Sequence, residues 1–310
     1  MFSNVSRSDE YKKLLCEFIR SEYGVEFISI TPAKRGFYGE TWRLDSANKS
    51  YFLKLDYSPH QGIYERSFTV IEHLCCHGID FISQIVKTKN GGLSTRFDGA
   101  VLGLFNWIDG EHIETDETKI PEYNMLARVY QVPANGVSIP CEDFESNSAD
   151  KFYAQWAAID DEQINSLLEQ RRAIFEHRAN RLRLFSEKCN GDTTGFVITH
   201  GDAGGNLVKD GDRYFIVDWD DPILAPPERD AWVMCNRDWA RSAFHEALRQ
   251  HGITYTLRPE RLEYYCYHFF FFYLTSFLES YKVSGIVQEL EEYVDGWIQD
   301  SFRYVDSIQL

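Results

Sequence analysis

Apolar residues recur at helical spacing twice in the first third of the chain. One face of a predicted helix over residues 11–23 is apolar, and Gly24 is placed to end it. A second helix is predicted from about residue 63 to 77, followed by Gly78 as its cap. The pattern therefore predicts two amphipathic helices in this part of the chain.

Runs rich in β-branched and aromatic residues lie between and after these helices, and turn-forming residues separate them. The predicted strands are 25–33, 40–45, 50–56, 81–87 and 100–107. Together with the helices they predict an α+β unit over about the first hundred residues, with an antiparallel sheet.

The pattern becomes mainly helical from residue 116 onward, with an amphipathic helix predicted over 164–185 and a last helix over 285–306. The helical period breaks between residues 193 and 218, where Gly and Asp turns join short strands. These predicted strands are 195–199, 206–209 and 213–217. The C-terminal part is therefore predicted to be helical around a small β island.

Length and charge narrow the class of protein. A chain of 310 residues exceeds the usual single core, so we expect two domains or lobes. The net charge of −16 opposes binding to a nucleic-acid backbone and favours cationic ligands. The alternative is that the acidity only keeps the protein soluble.

The apolar runs, the N-terminal residues and the cysteines indicate the compartment. The aromatic run Phe269–Leu274 is far too short to span a membrane, and residues 1–7 lack the pattern of a secretion signal. The seven cysteines are an odd number with no C-x-x-C pair, which fits neither a disulfide framework nor a zinc knuckle. We therefore expect a cytoplasmic protein with reduced thiols and no membrane partner.

Residues 197–208 run from an apolar strand through a polar loop into another strand. Asp202 in this loop could accept the proton of a substrate hydroxyl, and Asn206 could turn its amide oxygen toward Mg²⁺. The next strand ends at Asp218, which could bridge the metal and the phosphates of a nucleotide. We predict that Asp202, Asn206 and Asp218 form one phosphoryl-transfer site.

The segment from His200 to Asn206, followed by Val217-Asp218-Trp219, resembles the H-G-D-x-x-x-N and I-D-W motifs of the aminoglycoside phosphotransferase and choline-kinase-like family. Protein kinases have four residues between the catalytic Asp and the Asn, and this chain has three, which favours the small-molecule branch. The resemblance implies a bilobal protein-kinase-like fold. Its parts would be an N-terminal antiparallel-sheet lobe over 1–104, a hinge over 105–110 and a larger, mainly helical lobe over 111–310.

Lys54 is a single lysine in the apolar strand predicted over 50–56, where a buried ammonium requires an anionic partner. The resemblance to kinases implies that Lys54 contacts the nucleotide phosphates and that Glu65, on the next helix, forms the ion pair that aims it. Glu72 is the alternative partner. The alternative for Lys54 itself is a strand-edge position with its head group in water.

Two further segments are assigned to nucleotide binding by the resemblance. Gly36 and Gly39 lie where kinases have the loop that covers the phosphates, although an ordinary hairpin turn is the alternative. The backbone of Phe105, Asn106 and Trp107 corresponds to the hinge that binds adenine. ATP is the expected donor, with Mg²⁺ as the cofactor, and GTP stays open.

The segment 220–232 is similar to the corresponding part of spectinomycin phosphotransferases, a group within the same family. Its acidic residues Asp220, Asp221 and Glu228 could receive the ammonium groups of a cationic substrate. The alternative is that these carboxylates are simply solvated.

These observations, taken with the resemblance, predict an ATP-dependent O-phosphotransferase acting on a small cationic acceptor. The resemblance implies an aminoglycoside or an aminocyclitol such as spectinomycin as the acceptor and antibiotic resistance as the role. A metabolite kinase for an amino alcohol or a methylthioribose-like sugar is the alternative within the same chemistry. A non-catalytic nucleotide-binding pseudokinase is the alternative from another class. We expect a monomer or homodimer.

Overall fold

The computed structural model describes residues 7–33, 39–57, 61–235, 237–284, 290 and 292–293. The helices are α1 (Asp9–Tyr23), α2 (Gln61–Cys76), α3 (Lys119–Tyr130), α4 (Asn147–Ala157), α5 (Glu162–Glu169), α6 (Arg172–Cys189), α7 (Glu228–Ala231), α8 (Asp238–Gln250) and α9 (Pro259–Ser284). The strands are β1 (Ser29–Pro32), β2 (Gly39–Asp45), β3 (Ser50–Asp56), β4 (Thr95–Phe97), β5 (Ala100–Asn106), β6 (Glu111–His112), β7 (Val197–Thr199), β8 (Leu207–Asp210), β9 (Arg213–Ile216) and β10 (Ile223–Ala225). Short 3-10 turns lie at Asp116–Thr118 and Ala203–Gly205.

The chain forms two compact units that are discontinuous in sequence. The first contains the described residues of Ser3–Pro140 together with His200–Ile223, and the second contains those of Cys141–Thr199 and Leu224–Leu310. The division into 1–104, 105–110 and 111–310 stays a prediction about lobes.

The first unit is built on an antiparallel five-stranded sheet in the order β1-β2-β3-β5-β4. Lys54 in β3 lies opposite Thr41 in β2 and Gly103 in β5, so it occupies a central strand. Apolar side chains of α1 and of the sheet form one core, which explains the helical spacing of the N-terminal apolar residues. Its fully buried members include Leu15, Ile19, Leu44, Leu53, Leu55, Leu102 and Leu104.

A second, three-stranded sheet of the first unit has the order β6-β8-β9. Leu207 pairs with Ile216, and the Ile216 amide donates to the carbonyl of Phe81 at 2.9 Å. Because β8 and β9 are antiparallel, the start of β8 lies beside the end of β9. The hairpin thereby brings the loop that precedes β8 close in space to Asp218, which follows β9.

The second unit has a helical core rich in aromatic residues. Phe152 of α4 packs on Phe175 of α6 at 5.2 Å and on Phe271 of α9 at 5.6 Å between ring centroids. Phe270 and Phe271 are fully buried, whereas Phe272 is 43% exposed. The aromatic run of α9 is therefore helix core, and no helix in the described part of the chain has the length and apolarity needed to cross a membrane.

Most predicted elements are confirmed, including the α+β class, the antiparallel N-terminal sheet and the β island. Two predictions are wrong in detail. Residues 81–87 form no strand, because Ile82 bridges to Ile216 whereas Ile85 bridges to Phe105, so no continuous ladder forms. The helix predicted over 164–185 is two helices, α5 and α6, separated at Gln170 and Arg171. The last predicted helix, 285–306, lies almost wholly outside the described residues.

Candidate active site

The loop between β7 and β8 holds Asp202 and Asn206 next to each other. The Asn206 Nδ2 donates to the Asp202 carbonyl at 2.6 Å and to its carboxylate Oδ2 at 3.3 Å. Asp202 is exposed, so its carboxylate is accessible to a ligand. The Asn206 amide nitrogen is engaged, which leaves its Oδ1 as the atom that the side chain can offer to a cation.

His200 connects this loop to the strand that leads to Asp218. Its Nδ1 accepts the backbone N–H of Asp202 at 3.1 Å, which assigns the proton to Nε2, and Nε2 then donates to the Val217 carbonyl at 2.9 Å. The His200 ring also packs edge-on against Trp219. The sequence motif contains His200, but its linking role became visible only in the structure.

Lys54 lies against two carboxylates of the segment after β9. Its ammonium is 3.1 Å from an Asp218 oxygen and also contacts Asp220. The Lys54 side chain is 6% exposed, whereas those of Asp218 and Asp220 are 45% and 39% exposed. The lysine is therefore enclosed in the unit, and the carboxylates lie at its accessible edge.

The charges of these three groups shift one another's pKa values. Burial alone would lower the pKa of Lys54, but Asp218 and Asp220 outweigh it, and the net shift is upward. Burial would raise the pKa of Asp218, but the charge and hydrogen bond of Lys54 lower it. Burial together with the Asp218 carboxylate raises the pKa of Asp220 to about 7. Lys54 thus holds two closely spaced carboxylates together.

The backbone of Asp218 is unusual, with a φ of 63°, in the left-handed region. A non-glycine residue in this region costs on the order of 1–2 kcal/mol, although Asp and Asn tolerate it better than other residues. Strain of this kind persists where the surroundings require it, and here it accompanies the contact with Lys54.

The predicted ion pair between Lys54 and Glu65 is wrong. Glu65 instead accepts a hydrogen bond from Arg96 at 2.8 Å on the surface, and the alternative partner, Glu72, pairs with Lys87. The physical reason is that Asp218 and Asp220 already satisfy the Lys54 ammonium. A signal for Asp220 was present in the sequence, since it stands only two residues after Asp218 in a non-helical segment.

Only the end of the loop predicted to cover the nucleotide phosphates lies among the described residues. Gly36 lies outside the described residues. Gly39 begins β2, where a Cβ atom would stand 2.2 Å from the Leu55 carbonyl oxygen, so close strand pairing is sufficient to require glycine there.

The predicted hinge residues already use their backbone donors. The amide of Asn106 donates to the Gln84 carbonyl at 2.9 Å, and that of Trp107 donates to the Ser50 carbonyl at 3.2 Å. The buried Phe105 is paired with Phe52 in the sheet. An adenine contact with these three residues would therefore use carbonyl oxygens or side chains instead of the Asn106 and Trp107 amides.

Of the three predicted substrate carboxylates, Glu228 is misassigned. It is fully buried in the second unit and accepts hydrogen bonds from the Tyr255 hydroxyl at 2.9 Å and from the Arg258 amide. Burial raises its pKa to about 7. A buried carboxylate with these partners is a structural group, whereas Asp220 and Asp221 are partly or largely exposed in the first unit.

The model of the phosphotransferase enzyme family matches residues 29–265 of the chain. The chain belongs to this family. The membership confirms the predictions of a phosphotransferase enzyme and of the aminoglycoside phosphotransferase and choline-kinase-like group.

Solved structures of this family have the same fold. A spectinomycin phosphotransferase in complex with ADP and spectinomycin is 20% identical, covers 95% of this chain and 93% of its own, and has a TM-score of 0.70. A choline kinase from Streptococcus pneumoniae is 15% identical, with 97% and 100% covered and a TM-score of 0.62. A thermostable mutant of an aminoglycoside phosphotransferase is 15% identical, with 94% and 98% covered and a TM-score of 0.63. A search of curated proteins found no match.

The donor set fits the metal that the family implies. Asn206 and Asp218 offer hard oxygen ligands, and Mg²⁺ is usually held by one or two such side chains together with water and phosphate oxygens. The described residues contain no group of three or more His, Cys, Asp or Glu side chains that could hold an ion by themselves. An ion held by Asn206 and Asp218 would therefore need water or phosphate oxygens to complete its coordination.

Proposed function

We propose that this family member transfers the γ-phosphoryl group of ATP to a hydroxyl group of a small cationic acceptor. The observation that carries the proposal is the contact of Lys54 with Asp218 in the same compact unit as the Asp202–Asn206 pair. Phosphoryl transfer requires these roles and little else from a protein: a cation for the phosphates, oxygen ligands for the metal and a group that orients the nucleophile.

Asp202 is the proposed base, because it is exposed and its carboxylate is held by Asn206. Lys54 is the proposed contact to the nucleotide phosphates, and Asn206 and Asp218 would hold Mg²⁺. When bound, Mg²⁺ supplies charge that neutralises the phosphate oxygens. His200 keeps the Asp202 backbone and the Val217 carbonyl at a fixed separation, and it thereby orients both sides of the site.

The acceptor class rests on charge. The chain carries a net charge of −16, and Asp220 and Asp221 stand beside the proposed metal ligand at accessible positions. An aminoglycoside or an aminocyclitol such as spectinomycin fits this charge and the hydroxyl chemistry. Antibiotic resistance and action as a cytoplasmic monomer or homodimer belong to the same proposal.

Two alternatives are tested together with it. A metabolite kinase would use the same residues on an amino alcohol or a methylthioribose-like sugar. A pseudokinase would bind nucleotide without turnover. A protein that only binds nucleotide does not require a general base, so the accessible carboxylate of Asp202 argues against this alternative.

The test is a coupled ADP-release assay with Mg²⁺ and ATP across spectinomycin, several aminoglycosides, choline, homoserine and methylthioribose. Turnover with the antibiotics supports the leading proposal, and turnover confined to choline, homoserine or methylthioribose supports the metabolite kinase. Nucleotide binding in calorimetry with no turnover on any acceptor would instead favour the pseudokinase.

A further inference from the structure

Helix α3 contains a buried ion pair that the proposed chemistry does not use. Lys119 and Glu122 are 3% and 2% exposed, and the Lys119 Nζ lies 3.0 Å from the Glu122 Oε2. Removing two charges from water is costly, and breaking such a pair is strongly destabilising, so a fold retains one only with good geometry. We therefore expect this buried ion pair to have a structural role beyond the pairing of its two charges.

The second partner of Lys119 gives that reason. Its Nζ donates a hydrogen bond of 3.0 Å to the carbonyl oxygen of Gly204, which lies in the loop midway between Asp202 and Asn206. Hydrogen bonds from charged donors to carbonyl groups are stronger than neutral ones. One buried side chain thus holds the centre of the loop on which the proposed base and one proposed metal ligand stand.

The loop needs such an anchor because it contains two adjacent glycines. Gly204 and Gly205 have no positive φ, so ordinary residues could adopt their backbone, and a Cβ on Gly205 would meet no atom within 4 Å. Glycines in ordinary backbone add conformational entropy to a segment and so loosen it. The local bonds across the 3-10 turn Ala203–Gly205 both come from Asn206, whose backbone amide donates to the Ala203 carbonyl at 3.1 Å and whose side chain donates to the Asp202 carbonyl at 2.6 Å.

We propose that Lys119 is a positioning residue that fixes the Asp202–Asn206 loop through the Gly204 carbonyl, and that Glu122 keeps the buried ammonium neutralised. The inference rests on the proposed function for its effect on catalysis, but not for its effect on the loop. Misplacing a reacting group by about 1 Å can reduce a rate by about a hundredfold, so loosening this loop slows transfer without weakening nucleotide binding.

The test compares two variants that differ only at Lys119. Glu122→Gln removes the carboxylate charge but leaves Lys119, which donates to Gly204 whether charged or neutral. The double variant K119M/E122Q removes the donor without leaving an unpaired buried charge. Asn124→Ala is the control on the same helix, because the partly exposed Asn124 donates its side-chain hydrogen bond to the Ile120 carbonyl of α3 itself.

Three quantities are measured on the full chain: kcat in the ADP-release assay, the Kd for ADP, and hydrogen exchange of the 203–206 amides. We expect K119M/E122Q to have a kcat about 10- to 100-fold below that of E122Q, a Kd for ADP within about threefold, and faster exchange at 203–206. Exchange in β7 should not change, and Asn124→Ala should match the wild type.

Equal kcat and equal exchange in E122Q and K119M/E122Q would overturn the proposal. So would faster exchange with an unchanged kcat, or a fall in kcat accompanied by an equal loss of ADP binding and of stability, because that pattern indicates general damage. If the wild type transfers no phosphate, the proposed function fails by itself, and the exchange measurement still decides whether Lys119 holds the loop.

Discussion

The ammonium of Lys54 lies 3.1 Å from a carboxylate oxygen of Asp218, a residue 164 positions later in the chain. This contact joins the central strand of the N-terminal sheet to the segment after β9, and both belong to one compact unit. Asp220 contacts the same ammonium. Lys54, the proposed contact to the phosphates, and Asp218, the proposed metal ligand, therefore position each other.

Asp220→Asn should lower kcat/KM for ATP by about tenfold, because Lys54 loses one of the two carboxylates that orient it. Glu65→Gln is the matched control. Glu65 pairs with Arg96 on the surface, where ion pairs contribute little, so its loss should change kcat/KM by less than about twofold. Steady-state kinetics with varied ATP decides the question, and a larger effect of Glu65→Gln than of Asp220→Asn would restore Glu65 as the partner of Lys54.

Asp218→Asn should preserve the fold and remove the response to Mg²⁺. Asparagine tolerates the φ of 63°, whereas alanine does not, so Asp218→Ala should be less stable than Asp218→Asn by about 1 kcal/mol. Urea unfolding measures the stability difference. Calorimetry measures the Kd for ADP with and without Mg²⁺. If Mg²⁺ strengthened ADP binding as much in Asp218→Asn as in the wild type, Asp218 would not be a metal ligand.

Glu228→Gln should change how stability depends on pH. The pKa of Glu228 is raised to about 7 in the fold from an ordinary 4.5, so between these values the folded state binds more protons than the unfolded state. The wild type therefore loses stability from this group as pH rises from about 4.5 to 7, by up to about 3 kcal/mol. Glutamine cannot ionise, so the variant escapes this loss.

Urea unfolding at pH 5, 6, 7 and 8 follows this difference. The stability of Glu228→Gln relative to the wild type should increase with pH, and Glu187→Gln, at an exposed position of the same unit, serves as the control. Burial lowers the pKa of His268 to about 4, so this group makes the protein more stable as pH rises, opposite to Glu228. Because His268 is present in both proteins, its contribution cancels in the difference between Glu228→Gln and the wild type. A stability difference independent of pH would show that Glu228 does not titrate in this range.

The sequence predicted best what is local. Asp202 and Asn206 stand four residues apart in one loop, so their contact follows from the motif, and the strands around them follow from short apolar runs between turns. The partner of Lys54 was not local. The resemblance to kinases predicts Glu65 on the next helix, with Glu72 as the alternative, but the contact is decided by how β9 directs Asp218 and Asp220 to the central strand.

Burial was the other property that the sequence did not reveal. Glu228 reads as one more acidic residue in a polar segment, yet it is enclosed by Tyr255 and Arg258, which follow it by 27 and 30 residues. Lys119 and Glu122 gave no signal either, because charged residues near the start of a helix are ordinary at the surface. Their roles depend on tertiary packing, which spacing and composition do not determine.

Asp202 is the proposed base of the phosphoryl-transfer site, and the proposed function depends on it. The most direct measurement is transfer of label from γ-³²P-ATP to the acceptor by the wild type and by Asp202→Asn, with the Kd for ADP measured on both proteins. We predict that the variant transfers label about 10²- to 10⁴-fold more slowly while its Kd for ADP stays within about threefold of the wild type. Transfer by Asp202→Asn at the wild-type rate would contradict the account.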